Sequence, residues 1–177
     1  MAPTELLGVV LAGGRSRRMG RDKALLAFGG GTLLQHQVRL LEPLCVRVVV
    51  SGAYAGFDCI ADARPDAGPL AGLLAAGEIW RGAVLALPVD MPLMSAEALA
   101  ELAQAAQAAY FDGHPLPAFF PDAAALAAAA DALLAGDDRS VRALHRQLRS
   151  RALPVREPTA FSNTNTPMDW RRVTCTP

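Results

Sequence analysis

The sequence predicts a single α/β domain built on an open, mainly parallel sheet with helices on both faces, and three observations carry that prediction. Short apolar runs alternate with helical patterns along the 177 residues, the βαβ rhythm of a parallel sheet. Val48-Val49-Val50 and Val84-Leu85-Ala86-Leu87 are apolar on both faces, as strands buried between two helix layers are. The length suits one domain with a full hydrophobic core, and no internal repeat or long linker divides the chain. The expected architecture is Rossmann-like.

Taken in order, strands are expected at 6–12, 46–51, 57–61 and 83–88, with weaker ones at 116–120 and 152–156. Helices are expected at 32–42, 70–80, 95–110, 123–135 and 139–150, and a short one from Pro167. Thr32 followed three residues later by Gln35 gives the first helix a capping-box start. The alanine-rich stretches at 96–109 and 123–135 read as plain helices, because alanine is the best helix former. "FGGGT" at 28–32 reads as a turn into the first helix.

Composition excludes several classes. Seventeen basic and seventeen acidic residues cancel, so nothing global argues for nucleic acid or an anionic membrane as partner. The apolar run "LLGVVLA" has no basic region before it and is too short to span a bilayer. A cytoplasmic protein is expected. Cys45, Cys59 and Cys175 are far apart and form no CxxC pair, which reads as reduced thiols and neither a disulfide frame nor a zinc site.

Any anion specificity must therefore be local, and the charge is concentrated in "VVLAGGRSRRMGRDK". There an apolar strand meets Gly13 and Gly14, then Arg15, Arg17, Arg18, Arg21 and Lys23 against one acid, Asp22. Ligands on parallel sheets bind outside the carboxyl ends of the strands, and this loop follows the first strand directly. Glycines allow tight turns whose N–H groups converge on phosphate oxygens. Arginine suits bidentate phosphate contact and lysine acts as a mobile point charge. The register fits neither GxxxxGK[ST] nor GxGxxG. What remains is LAGGxSxRMGxDK, for which phosphate binding is a better reading than a merely solvated basic loop.

"VLALPVDMP" places Asp90 just past an apolar strand, with Pro92 blocking further pairing. In a parallel sheet that carboxylate lies on the same edge as the glycine turn. A hard oxygen ligand there suits Mg²⁺ bridging a triphosphate; the bland alternative is an acid that caps its own turn.

LAGGxSxRMGxDK resembles the signature loop of nucleotidyltransferases that join a nucleoside triphosphate to a phosphorylated acceptor. Its GG form, with "GPLAGL" at 68–73, resembles the molybdenum cofactor guanylyltransferases of the MobA family. Cytidylyltransferase relatives more often read LAAG at the turn and lack GPLAG. The resemblance runs from about Val9 to Asp169. It implies transfer of GMP from GTP to the phosphate of molybdenum-bound molybdopterin, with Mg²⁺ as cofactor and release of pyrophosphate. Molybdoenzymes or their chaperones would receive the product.

By the same resemblance, Arg18, Lys23 and Asp90 would be catalytic, with Asp90 as the metal ligand in a PxDxP segment. Leu11, Ala12, Gly13 and Gly14 would hold the nucleotide together with Lys23, Ser51, Asp62 and Asp90. Ser51 stands where relatives usually carry Asn, and it loses the amide's paired donor and acceptor. Asp62, closing "FDCIAD", would contact the nucleoside, although an acid that initiates a turn before Arg64-Pro65 reads almost as well. "FSNTNTPMD" resembles the NxNTPxD segment and would give Asn163 and Asn165 to the acceptor. The same residues also make a helix start, capped at Thr166 with Pro167 in the first turn.

Arg139, Arg142, Arg146 and Arg149 share one helical face. A solvated face explains them; an acceptor site for the pterin phosphate is the secondary reading. No histidine has a partner at metal-ligand spacing. Two rival functions stay open: a nucleotidyltransferase using CTP or another phosphorylated acceptor, and a non-catalytic nucleotide-binding domain.

Overall fold

The structure, a computed structural model, describes residues 5–13, 22–62, 64 and 67–174. A seven-stranded sheet runs in the order β5-β4-β1-β6-β8-β7-β9. Its centre is β1 (Leu6–Leu11), parallel on one side to β4 (Arg47–Ser51) and on the other to β6 (Ala83–Pro88). The short β5 (Cys59–Ile60) extends the β4 side, again in parallel. Beyond β6, β8 (His114–Phe120) is antiparallel to both β6 and β7 (Ala109–Phe111). The edge strand β9 (Arg151–Leu153) returns parallel to β7.

The period of two in β1 divides the core. Leu7, Val9 and Leu11 join one buried cluster with residues of α2 (Pro69–Ile79), α4 (Ala123–Ala135) and α5 (Val141–Gln147). Leu6 and Val10 join the other, with α1 (Leu33–Leu41), α3 (Ala96–Ala103) and the single turn Pro158–Phe161. Both faces of the sheet are therefore covered, which accounts for strands without polar alternation. The first helix begins as expected: Gln35 N–H donates to Thr32 Oγ1 at 3.2 Å, and Thr32 N–H donates to Gln35 Oε1 at 2.9 Å.

Two local expectations change. The helix expected over 95–110 stops at Ala103, and Ala109–Phe111 is a strand. Alanine propensity favours continuation, but Ala109 and Phe111 bury their side chains as β7 pairs with β8 and β9. Packing within the sheet outweighs propensity there. The expected turn at "FGGGT" is a small hairpin, β2 (Ala27–Phe28) against β3 (Gly31–Thr32), with Gly29 and Gly30 both at positive φ. The last helix, α6 (Pro167–Thr174), packs Trp170 against Phe28 of that hairpin, ring centres 5.9 Å apart.

Candidate active site

Register fixes which chain ends meet. Leu11 pairs with Ser51 on one side and with Pro88 on the other, so β1, β4 and β6 end at one height. The ladder continues one residue further, with Val89 N–H donating to Leu11 O at 3.1 Å. The turn at Ala12–Gly13 and the acid at Asp90 thus share the carboxyl rim of the sheet, the arrangement expected from sequence. Arg18 and Gly14, with Arg15, Arg17 and Arg21, lie outside the described residues.

One corner of the rim is built around Gly13. Ser51 is 2% exposed, and its hydroxyl donates to the carboxylate of Asp62. A Cβ on Gly13 would stand 2.7 Å from Asp62 Oδ2 and 3.4 Å from Ser51 Oγ. The glycine is what lets the turn lie directly on that acid. From below, α2 comes so close that a Cβ on Gly72 would sit 2.5 Å from Ser51 Oγ and 2.8 Å from Leu11 Cδ2. Gly72 is the second glycine of "GPLAGL", and close helix–strand packing is its role here.

Tyr54 belongs to no sequence motif, yet it joins this corner. Its hydroxyl lies 3.2 Å from Ala12 O and 3.4 Å from Asp22 Oδ1, the two residues that flank the basic segment. Burial, then the Asp22 charge, pushes the phenol well above its ordinary range. The tyrosine therefore keeps its proton and can donate it to either acceptor. Asp22 also accepts from Ala24 N–H at 3.0 Å, capping the short 3₁₀ turn Lys23–Leu25 and fixing where Lys23 starts.

The second corner holds Lys23, Asp90 and Asn165. Lys23 Nζ donates to Asn165 Oδ1 at 2.7 Å and stands 3.9 Å from Asp90 Oδ2. The lysine and aspartate side chains are 14% and 25% exposed. Burial raises the Asp90 carboxyl above the usual range, while Lys23 and the residue's own N–H pull the other way. Burial prevails because the ion pair is a long one. Asn163, two residues before Asn165, is exposed on the same segment. Thr166 and Asp169 cap α6 through Thr166 N–H to Asp169 Oδ2 at 2.8 Å and Asp169 N–H to Thr166 Oγ1 at 3.1 Å. The helix start and a place at the rim are thus both true of this segment.

The loop around Asp90 is held by residues with no sequence signal. Gln37 Nε2 donates to Met91 O at 2.8 Å, with a longer 3.4 Å contact to Val89 O. Thr164 gives Asp90 O two bonds, from N–H at 2.9 Å and from Oγ1 at 3.2 Å. Both side chains are fully buried.

Among the described residues no cluster of three or more His, Cys, Asp or Glu is placed to hold a metal. Asp90 offers a single hard oxygen site. That is too little for a resident ion, but it suits a divalent ion carried in on phosphate oxygens, since Mg²⁺ is commonly bound by one or two carboxylates plus substrate phosphates. The expected arginine stripe is not one helical face, because α5 spans only Val141–Gln147 and leaves Arg139 and Arg149 outside it; three of its arginines are engaged locally. Arg142 donates to Gly113 O at 3.0 Å, Arg146 pairs with Asp138 at 2.6 Å, and Arg139 reaches Gly136 O at 3.3 Å. His145 is buried, its ring stacked on Tyr110 with centres 4.1 Å apart. No helix is long and apolar enough to cross a membrane among the described residues.

Comparison with known proteins places the chain in a family. The family described as MobA-like NTP transferase domain matches residues 8–152. A molybdenum cofactor guanylyltransferase of Xanthomonas euvesicatoria is 41% identical over 175 residues, covering 94% of this chain and 93% of that one. A probable molybdenum cofactor guanylyltransferase of Opitutus terrae is 40% identical over 193 residues, covering 94% of each. In fold, the chain resembles the crystal structure of molybdopterin-guanine dinucleotide biosynthesis protein A from Archaeoglobus fulgidus. Their TM-score is 0.77 at 24% identity, over 94% of this chain and 95% of that one.

Proposed function

The chain belongs to the MobA-like NTP transferase family, and from that premise we propose that it transfers GMP from GTP to the phosphate of molybdenum-bound molybdopterin. The products are molybdopterin guanine dinucleotide and pyrophosphate. The names of its relatives support the choice of nucleotide and acceptor. The single observation that supports the mechanism is the shared rim: the Ala12–Gly13 turn and Asp90 follow the ends of paired strands, with Lys23 Nζ 3.9 Å from Asp90 Oδ2.

In this reading the acceptor phosphate attacks the α-phosphorus in line. A new P–O bond forms as the bond to the β-phosphate breaks, and pyrophosphate carries the charge away. No covalent enzyme intermediate is required, because positioning and charge neutralisation supply most of the catalysis in such transfers. Gly13 lets phosphate and base approach the backbone, and Asp62, oriented by Ser51, faces the nucleoside. Lys23 leaves Asn165 for phosphate oxygen, its Nζ being a mobile point charge. Arg18 adds a second cation from the basic segment. Mg²⁺, when it enters with GTP, would be held by Asp90 and would neutralise triphosphate oxygens. Asn165, freed from Lys23, and Asn163 present amides to the acceptor. Molybdoenzymes or their chaperones take the product, in the cytoplasm.

The test is pyrophosphate release with molybdopterin as acceptor, comparing GTP with CTP, ATP and UTP. GTP is expected to be preferred, and Asp90→Asn and Lys23→Ala each to lose about 10²–10³ in turnover, the usual effect of removing one preorganised group. Turnover of CTP with a different phosphorylated acceptor, or GTP binding with no turnover under any divalent ion, would overturn the proposal.

A further inference from the structure

The face that α1 turns to the sheet is apolar: Leu33, Leu34 and Leu41 are all fully buried. Gln37 lies among them, also fully buried, and its Oε1 has no hydrogen-bond partner among the described residues. A buried amide that leaves one acceptor unpaired is unfavourable relative to an apolar side chain of the same shape. Stability alone therefore does not explain a glutamine at this position. Its other end does, because Nε2 holds the carbonyls on either side of Asp90, Met91 O at 2.8 Å and Val89 O at 3.4 Å.

From the opposite side, the fully buried Thr164 holds the carbonyl of Asp90 itself through its N–H and its hydroxyl. Three consecutive carbonyls, at 89, 90 and 91, are thus fastened between α1 and the segment that carries Asn163 and Asn165. With the backbone fixed in this way, the Asp90 carboxylate can move only by its own side-chain torsions.

We infer that Gln37 and Thr164 are positioning residues, a two-sided carbonyl clamp that holds the Asp90 carboxylate at the rim for nucleotidyl transfer. The inference rests on the proposed role of Asp90, but the clamp can be read without substrate. Thr164 also lies between the two asparagines, so the acceptor segment cannot shift without moving the Asp90 loop.

The experiment compares Gln37→Met, which keeps the volume and removes both the amide donor and its orphaned oxygen, with Thr164→Val, which removes only the hydroxyl. Hydrogen exchange of the peptide spanning 88–94 is measured on the full chain without ligand, beside the melting temperature and the kinetics of pyrophosphate release. Gln37→Met is expected to melt within a few degrees of wild type, yet exchange about tenfold faster in that peptide. Its kcat should fall about ten- to a hundredfold, the scale of an ångström-level misplacement, with KM for GTP changed by less than about threefold. Thr164→Val should show the same pattern more weakly, since its N–H bond remains. Unchanged exchange at 88–94 or unchanged kcat in Gln37→Met would overturn the inference. Wild-type protein inert toward GTP would count against the functional reading instead, and the exchange measurement would still decide the clamp.

Discussion

Replacing Gly72 by alanine tests the packing beneath the Gly13, Ser51 and Asp62 corner. The added Cβ would lie 2.5 Å from Ser51 Oγ, 2.8 Å from Leu11 Cδ2 and 3.0 Å from Ser51 Cβ. Leu11 and Ser51 are 6% and 2% exposed, so neither has open space to move into. Inserting a methyl into such packing costs about 1–3 kcal/mol. Rotating the serine hydroxyl out of the way breaks its bond to Asp62, and an unpaired buried hydroxyl costs about 1–3 kcal/mol more. Alanine returns about 1 kcal/mol through better helix propensity. The net loss is roughly 1–5 kcal/mol, or about 3–15 °C in melting temperature for a domain of this size. The assay is thermal unfolding of a double-mutant cycle with Ser51→Ala, which removes the atom most closely opposed. The two changes should couple by about 0.5–3 kcal/mol, the double variant being more stable than the sum of the singles. A Gly72→Ala protein that melts at or above wild type would refute the close-packing account of "GPLAGL".

Gly13→Ala brings a Cβ to 2.7 Å from Asp62 Oδ2 and should weaken nucleotide binding at least tenfold, read by titration calorimetry, with melting changed by a few degrees at most. Asp90→Asn should melt at the wild-type temperature or higher at pH 7. Burial raises the folded carboxyl's pKa, so the folded state resists its ionisation and the neutral amide relieves that penalty. His145 has the opposite sign. Burial first, and the Arg142 charge, lower its pKa from 6.5 against the opposing bond to Pro115 O. Its contribution is intact above pH 6.5 and is lost as the pH falls below that value, where the unfolded chain binds the proton more readily. His36 adds a loss of the same sign. The melting temperature of His145→Phe should accordingly fall less between pH 7 and pH 5 than that of wild type.

What sequence revealed and what it hid divide along a physical line. The strand, glycine turn and acid at the rim were legible because each is written locally: an apolar run, a residue without a side chain, a carboxylate before a proline. The capping box at Thr32 and Gln35 was legible for the same reason. The end of α3 was not, because alanine carries no signal against continuing a helix and the competing partner strands lie far along the chain. Gln37 and Thr164 were invisible, since a polar residue on a buried face takes its meaning from carbonyls more than fifty residues away. Ser51 read as a weakened substitute for asparagine. In the fold it is an inward residue whose hydroxyl goes to Asp62 and whose size matches Gly72.

The same distinction bears on Asp90. A buried acid that answered only to folding would have its oxygens tied into the protein, and its charge would be met by a close partner. Neither holds here. The lysine stands at 3.9 Å and gives its short hydrogen bond to Asn165 instead. The loop's carbonyls, not its carboxylate, take the strong contacts from Gln37 and Thr164. The fold thus fixes the backbone tightly while leaving the acid a quarter exposed and loosely compensated, at a cost visible in its raised pKa. This loose compensation is consistent with the proposed roles of Asp90 and Lys23 toward a triphosphate and its metal.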